Sequence, residues 1–304
     1  MKYTNKYNIP NEIIRSLEND SYSDGGADFS ATGLLQPPQI RMLKKIYEPE
    51  ITTDVSDRIW ILLGQSVHNI LERANESNTE SLTEQRMFVD IDRYKISGQA
   101  DSIAIEDKIL KDYKITSVWS VIHTLKEGKP EWEQQLNIYA YLYKQTFKQD
   151  ISALNIIAIM RDWNKSGMLR NKDYPKCSVA VIPIPLWSEE EQLDFIRERI
   201  DKHTDAEVIW DALGELPKCT PEERWAKPDT YAVMKKGRKS ALRLLPTEEQ
   251  AKEYIGDQNL SIEFRKGLST RCEGYCEVSQ FCNQYREQKM TNHRLVNLKL
   301  NSLI

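Results

Sequence analysis

A chain of 304 residues, 40% apolar and 29% charged, has the composition of a soluble globular protein and the length to bury one large core or a core with a substantial appendage. No apolar run approaches the roughly 20 residues needed to cross a bilayer, and the first residues lack a signal-peptide apolar stretch, so a cytoplasmic protein with no membrane role is expected. The net charge of −4 excludes a general attraction to nucleic acid and leaves that role to local basic runs such as residues 41–45 and 235–239.

Residues 1–28 are polar, contain Ser23-Asp24-Gly25-Gly26 and read as a loose arm. Pro37 and Pro38 then open a helix with apolar positions Ile40, Leu43 and Ile46 and a basic side, which makes residues 1–56 an N-terminal arm and connector helix. From residue 57 to about 73, apolar residues recur at Ile59, Leu63, Val67, Ile70 and Leu71, the period of a buried helix. His68 and Glu72, four apart, share a face of it. Taken alone, such a histidine is most simply hydrogen-bonded at the edge of a core. Residues 84–91 read as a first strand.

Residues 98–114 hold the densest chemistry. Ile103, Ile105, Ile109 and Leu110 give strand character on either side of Glu106-Asp107, the expected two-residue turn. That turn pairs Ile105 with Lys108, and the same register sets Asp101 opposite Asp112, their Cβ atoms roughly 5 Å apart. Two carboxylates so placed repel unless a divalent cation between them converts repulsion into chelation by hard oxygen ligands. Lys114 follows Asp112 by two residues and shares its face of the strand. The plain alternative is a solvated hairpin whose outer face carries charge.

Residues 115–129 read as a polar connection to Pro130, which opens a helix to about 147. Trp132, Leu136, Tyr139 and Tyr143 line one flank of it, and Gln135 lies one turn before Tyr139. An apolar run at 152–160 and an alternating one at 177–186 follow as strands, the second placed at a sheet edge by Pro183 and Pro185. Ser188 and Glu191 form a capping box for a helix to about 213, and Thr220 with Glu223 marks another helix start. Residues 231–245 read as a hairpin with a Lys-Gly-Arg tip. The core is thus assigned to residues 57–214, and residues 215–304 form a segment with the basic hairpin and a cysteine cluster. Cys219, Cys272, Cys276 and Cys282 supply the four thiolates that a tetrahedral zinc or a [4Fe–4S] cube requires, and spacing does not choose among zinc, the cube and unliganded thiols. Cys219 is preferred as the fourth member because it lies in a cap-like loop, whereas Cys177 reads as an ordinary buried thiol beginning a strand.

In order, His68, Gly98-x-x-Asp101, Asp112-x-Lys114 and Gln135-x-x-x-Tyr139 resemble the motifs of the RecB-like branch of the PD-(D/E)xK nuclease superfamily across about 70 residues. The cysteine segment and the Pro-Pro start extend the likeness loosely over most of the chain, toward members with an iron–sulfur cluster and toward a phage-encoded one. The resemblance implies a restriction-endonuclease-like α/β core, a central mixed β-sheet flanked by helices, with a helical and cysteine-rich C-terminal segment. It implies a DNA nuclease dependent on Mg²⁺ or Mn²⁺, an exonuclease by analogy alone, acting on single-stranded DNA or free DNA ends in recombination, repair or replication beside a recombination or helicase partner. Asp101, Asp112 and the Tyr113 carbonyl would bind the metal, with His68 completing or adjoining the site. Lys114 would orient the attacking water or stabilise developing charge, and Gln135 and Tyr139 would lie beside the metal and the DNA. Relatives with a cluster place their lone cysteine before the nuclease motifs, whereas no cysteine precedes Cys177 in this chain. Two other classes stand beside this one: a non-catalytic DNA-binding module that keeps the fold, and a zinc-stapled scaffold without DNA.

Overall fold

The computed structural model describes residues 2–19, 25–75, 77–256 and 258–290. In chain order the elements are β1 (Lys2–Thr4), α1 (Asn11–Glu18), β2 (Phe29–Ser30), α2 (Ala31–Leu34), α3 (Pro38–Tyr47), β3 (Thr52–Asp54), α4 (Ile59–Asn75), β4 (Ser81–Ile91), β5 (Tyr94–Ala104), β6 (Ile109–Thr116) and α5 (Val118–Glu127). There follow α6 (Pro130–Phe147), β7 (Ala153–Met160), α7 (Lys165–Arg170), β8 (Val179–Ile184), α8 (Glu189–Leu213), β9 (Thr230–Met234), β10 (Arg243–Leu245), α9 (Glu248–Ile255), β11 (Ser261–Arg265) and α10 (Thr270–Gly274). The chain divides into two units, one of residues 2–36 with 52–208 and one of residues 37–51 with the chain from 209 on.

The first unit is α/β, with a six-stranded mixed sheet ordered β2-β5-β6-β7-β8 and β4 on the other edge of β5. β5 runs antiparallel to β4 and β6, β6 parallel to β7, and β7 antiparallel to β8. The parallel pair needs a long crossover, which α5 and α6 supply. Helices flank the sheet: Leu136, Ile138 and Leu142 of α6 and Ile196 and Ile200 of α8 share one core with Ile96, Ile103, Leu110, Leu154 and Ile156 of the strands. β7 buries every second residue, Leu154, Ile156, Ala158 and Met160, as a strand with one face on the core does. β8 ends the sheet, the place where Pro183 costs no ladder bond. β5 divides one edge between two partners. Ile96 and Ser97 pair with β2, Ser102 to Ala104 pair with β6, and among the described residues no strand pairs with residues 98–101 on that edge.

Several sequence expectations change. The polar start holds β1, paired with β3, and α1 rather than a loose arm, because Asp54 gathers Thr4 Oγ1 at 2.8 Å and the Lys6 N–H at 3.0 Å; residues 20–24 of the expected arm lie outside the described residues. The connection 115–129 contains α5, with Ser117 as its N-cap, Val118, Val121 and Ile122 buried, and Gly128 ending it at φ 75. α4 forms where expected but buries none of its residues, and Trp60, Ile61, Leu63 and Ile70 stand exposed. Ile59, Leu63, Val67, Ile70 and Leu71 do share one face, but among the described residues that face is only partly covered. Thr220 and Glu223 make the reciprocal bonds of a capping box at 2.9 and 3.2 Å, yet only a turn follows, since Trp225 adopts φ 50. Among the described residues no helix is long and apolar enough to cross a membrane.

In the second unit β9 pairs antiparallel with both β10 and β11. The expected hairpin is β9–β10, its tip turned at Gly237, φ 79. A separate small core joins Ile40, Leu43 and Ile51 to Val278, Tyr285, Cys219 and Cys282.

Gly98 sets how closely α6 approaches β5. A Cβ there would lie 2.6 Å from Leu142 Cδ1 and 3.0 Å from Tyr139 Cδ1. Gly98→Ala should therefore destabilise the first unit by about 1–3 kcal/mol, the ordinary cost of overpacking. Urea unfolding reads this directly, and an unchanged midpoint would remove the close-approach argument.

Candidate active site

The β5–β6 register is the expected one. Ser102 pairs with Lys111, Ile103 with Leu110 and Ala104 with Ile109, and by the same count Asp101 and Asp112 come next, just past the last ladder pair. The turn differs: residues 105–108 form it, with Lys108 left-handed at φ 54. Beyond Ser102 and Lys111 the ladder gives way, and the Tyr113 N–H donates to Asp101 Oδ2 at 2.6 Å. One oxygen of that carboxylate is thereby fixed, and the other, Oδ1, lies 3.4 Å from His68 Nδ1 on α4.

A third group completes the cluster. Glu84 Oε1 lies 3.5 Å from the same His68 nitrogen, and its Oε2 accepts from Gln99 Nε2 at 2.7 Å. Among the described residues, one ligand atom from each of His68, Glu84 and Asp101 falls within 4.8 Å of the others, an imidazole and two carboxylates able to hold a metal ion. Glu84 is the residue that sequence reasoning missed. It faces Asp101 across β4, between the pairs Thr83–Ser102 and Gln85–Ala100, at φ 47. A left-handed glutamate inside a strand costs on the order of 1–3 kcal/mol, and such strain gathers at functional sites. The signal available was the two-residue turn at Asp92-Arg93, since counting back from the pair Ile91–Tyr94 brings Glu84 opposite Asp101.

Asp112, expected as a metal ligand, is turned toward α6 instead. Its Oδ2 lies 2.6 Å from Lys114 Nζ, and its Oδ1 accepts from Gln135 Nε2 at 3.3 Å. Gln135 also accepts from Lys114 Nζ at 3.1 Å and donates to the Tyr139 hydroxyl at 2.9 Å. One amide thus ties acid, lysine and phenol together, which its one-turn spacing from Tyr139 makes possible. Tyr139 is itself 4% exposed, so it serves core and site at once. Tyr113 contributes its N–H to Asp101 and stands edge-on to His68 at 6.1 Å between ring centroids. A groove of about 810 Å³ opens over His68, Glu84 and Asp101, lined also by Gln65, Arg86 and Tyr139.

The electrostatics follow from this packing. Hydrogen bonds with Asp101, and then Glu84, push His68 up to about 10 against the opposing effect of burial. Burial pushes the Asp112 carboxyl up to about 6 against the pull of the Lys114 ammonium, with the Asp101 charge adding to the rise.

The four predicted cysteines line one cavity of the second unit together with Gln39. All are free thiols, and burial pushes Cys219 up to about 12, with Glu223 and the other three cysteines adding to it. Gln39 Oε1, also missed in the sequence, accepts from Cys219 Sγ at 3.1 Å and from Cys282 Sγ at 3.7 Å. Cys177 is exposed rather than buried, because it precedes β8 instead of starting it, and its thiol donates to the Val179 carbonyl at 2.9 Å.

Fold and site together define an α/β protein with a mixed sheet and a histidine–carboxylate cluster at the divergence of two strands. No family model matches the chain, and no curated protein matches it. Eight solved chains do match, among them the crystal structure of SSO0001, 18% identical, covering 66% of this chain and 87% of that one at a TM-score of 0.41, too slight a likeness to carry any argument.

The raised pKa of His68 gives a pH dependence. Its folded value lies above the unfolded value of about 6.5, so the stability it contributes is fully present below that pH and is lost as pH rises through about 10. In chelator, melting temperatures measured across that window should fall more steeply for the parent protein than for His68→Gln, and parallel curves would show that the histidine is not held by the two acids.

Proposed function

We propose that the chain is a metal-dependent DNA nuclease with a restriction-endonuclease-like core, of the RecB-like PD-(D/E)xK type, acting on DNA ends. The observation that carries this reading is the convergence of His68, Glu84 and Asp101 where the β5–β6 ladder ends, with Lys114 paired to Asp112 on β6. The donor set fits a divalent cation, since one imidazole and hard carboxylate oxygens suit Mg²⁺ or Mn²⁺. His68, Glu84 and Asp101 would hold it, with Asp112 adjoining, and when bound it supplies positive charge that polarises a phosphodiester and lowers the pKa of a water.

The chain's own residues do the rest. The Tyr113 N–H fixes the Asp101 carboxylate before any ligand arrives. Asp112 and Gln135 hold the Lys114 ammonium, which orients a water or stabilises the charge growing on the phosphate oxygens. Tyr139 steadies Gln135 from the core side. His68 must give up its proton before its nitrogen can bind a cation, so loading releases a proton.

The cysteines serve the reading as a staple. Zinc held by four thiolates at 2.3 Å sets the sulfurs ~3.8 Å apart. The four thiols line one cavity, as either a tetrahedral zinc or a [4Fe–4S] cube would require, and the resemblance to cluster-bearing nucleases favours the cube. Free thiols in such number also suit a reducing cytoplasm. DNA is the proposed partner, with a recombination or helicase protein beside it.

Asp101→Ala and Asp112→Ala should each abolish cleavage of linear DNA in Mn²⁺ with the fold retained, and Lys114→Ala should slow single-turnover cleavage by about 100-fold. Wild-type protein that binds DNA but never cuts it in Mg²⁺ or Mn²⁺ would leave the non-catalytic module instead. Anaerobically purified protein should be brown and hold iron; Cys219→Ser should lose both, while Cys177→Ser keeps them. Colourless, zinc-containing protein would replace the cube.

A further inference from the structure

Large exposed aromatic side chains are uncommon on a surface with no partner, and two of them stand at one end of the strand that carries Lys114. Trp60, second residue of α4, is 59% exposed, and Trp119, second residue of α5, is 69% exposed. The guanidinium of Arg161 lies over the Trp60 ring, 4.4 Å from its centroid. Arg161 is fixed there by its own backbone, whose N–H donates to the Thr116 carbonyl at 3.0 Å. Its neighbour Asp162 accepts from the Val118 N–H at 2.8 Å, which seats the start of α5, and Trp119 with it, beside the same strand end. All of this surrounds Thr116, two residues beyond Lys114 on β6 and hence roughly 7 Å along the strand.

We propose that Trp60, Arg161 and Trp119 form a stacking platform for the bases of a single DNA strand leading away from the Lys114 site, so that the substrate is single-stranded DNA or a single-stranded end. The inference rests on the nuclease reading for what happens at Lys114, but the binding it describes does not require cleavage. A duplex keeps its base faces inside the stack and presents phosphates, so exposed indoles have nothing to receive from it. A single strand offers a π-face at every nucleotide, and aromatic side chains joined to an arginine are the surface that takes it. Duplex affinity would instead need many cations along the backbone, which a chain of net charge −4 does not supply generally. Arg161 gives the patch a positive charge matched to the strand's phosphates, which an apolar protein-docking face would not need.

The test uses the full chain in chelator, where binding is read without cutting. Fluorescence anisotropy should show labelled oligo-dT of about 20 nucleotides binding at least about tenfold more tightly than a blunt hairpin duplex, and tryptophan emission should quench as oligo-dT is added. Trp60→Ala and Trp119→Ala should each weaken oligo-dT binding by about tenfold with duplex binding unchanged, and Trp60→Phe should recover most of the loss. Equal affinity for the two DNAs, absent quenching, or parent-like oligo-dT affinity in both alanine variants would overturn the platform. A protein that cuts DNA in Mn²⁺ but shows any of those results loses the platform alone. One that binds oligo-dT through Trp60 and never cuts loses the nuclease reading alone.

Discussion

The hydrogen bond from the Tyr113 N–H to the Asp101 carboxylate is the contact on which the site depends. In an unbroken ladder that N–H would meet a backbone carbonyl of the neighbouring strand. A side chain takes it instead, at the point where β5 and β6 stop pairing. The exchange satisfies a buried donor, locks one oxygen of the acid and leaves the other for His68. Three acids and two bases then lie close together, Glu84, Asp101 and Asp112 against His68 and Lys114. The His68 proton is what a metal ion would replace in that balance, since proton and cation would occupy the same imidazole nitrogen between the two carboxylates.

The sequence made the central hairpin readable because the side-chain period of a strand is two and any turn of even length keeps the same face inward. The turn has four residues where the sequence reads as two, and both lengths give the same register. Lys114 shares a face with Asp112 by the period of two and Gln135 lies one turn from Tyr139, but a place for Gln135 and Tyr139 beside the site is what the resemblance implies. Glu84 was not found, because its placement rests on the β4–β5 turn and on a backbone angle that no periodicity carries. α5 departs from the expected loop because Val118, Val121 and Ile122 carry a helical period among polar residues. At Thr220 a capping box forms but only a turn follows, because no sequence period announces the left-handed backbone at Trp225.

The second unit shows a different limit. Its small core takes two of its seven buried side chains from Cys219 and Cys282, so the groups that would bind a cofactor are also the groups that exclude water. Cysteine count and spacing pointed to the four thiols. Gln39, about 180 residues before Cys219, could be linked to them only once the chain was folded.

The break in pairing along β5 gives the Gly-x-x-Asp pattern a mechanical origin. Leaving β2 after Ser97 and joining β6 at Ser102 takes four residues, and those four are Gly98 to Asp101. The spacing of the motif is thus the width of an opening in the sheet, ~13 Å of strand edge. Backbone amides and carbonyls that face this opening answer to water or to whatever lies in it rather than to a neighbouring strand. Gly98 lines the groove there and, having no side chain, offers it only main-chain atoms.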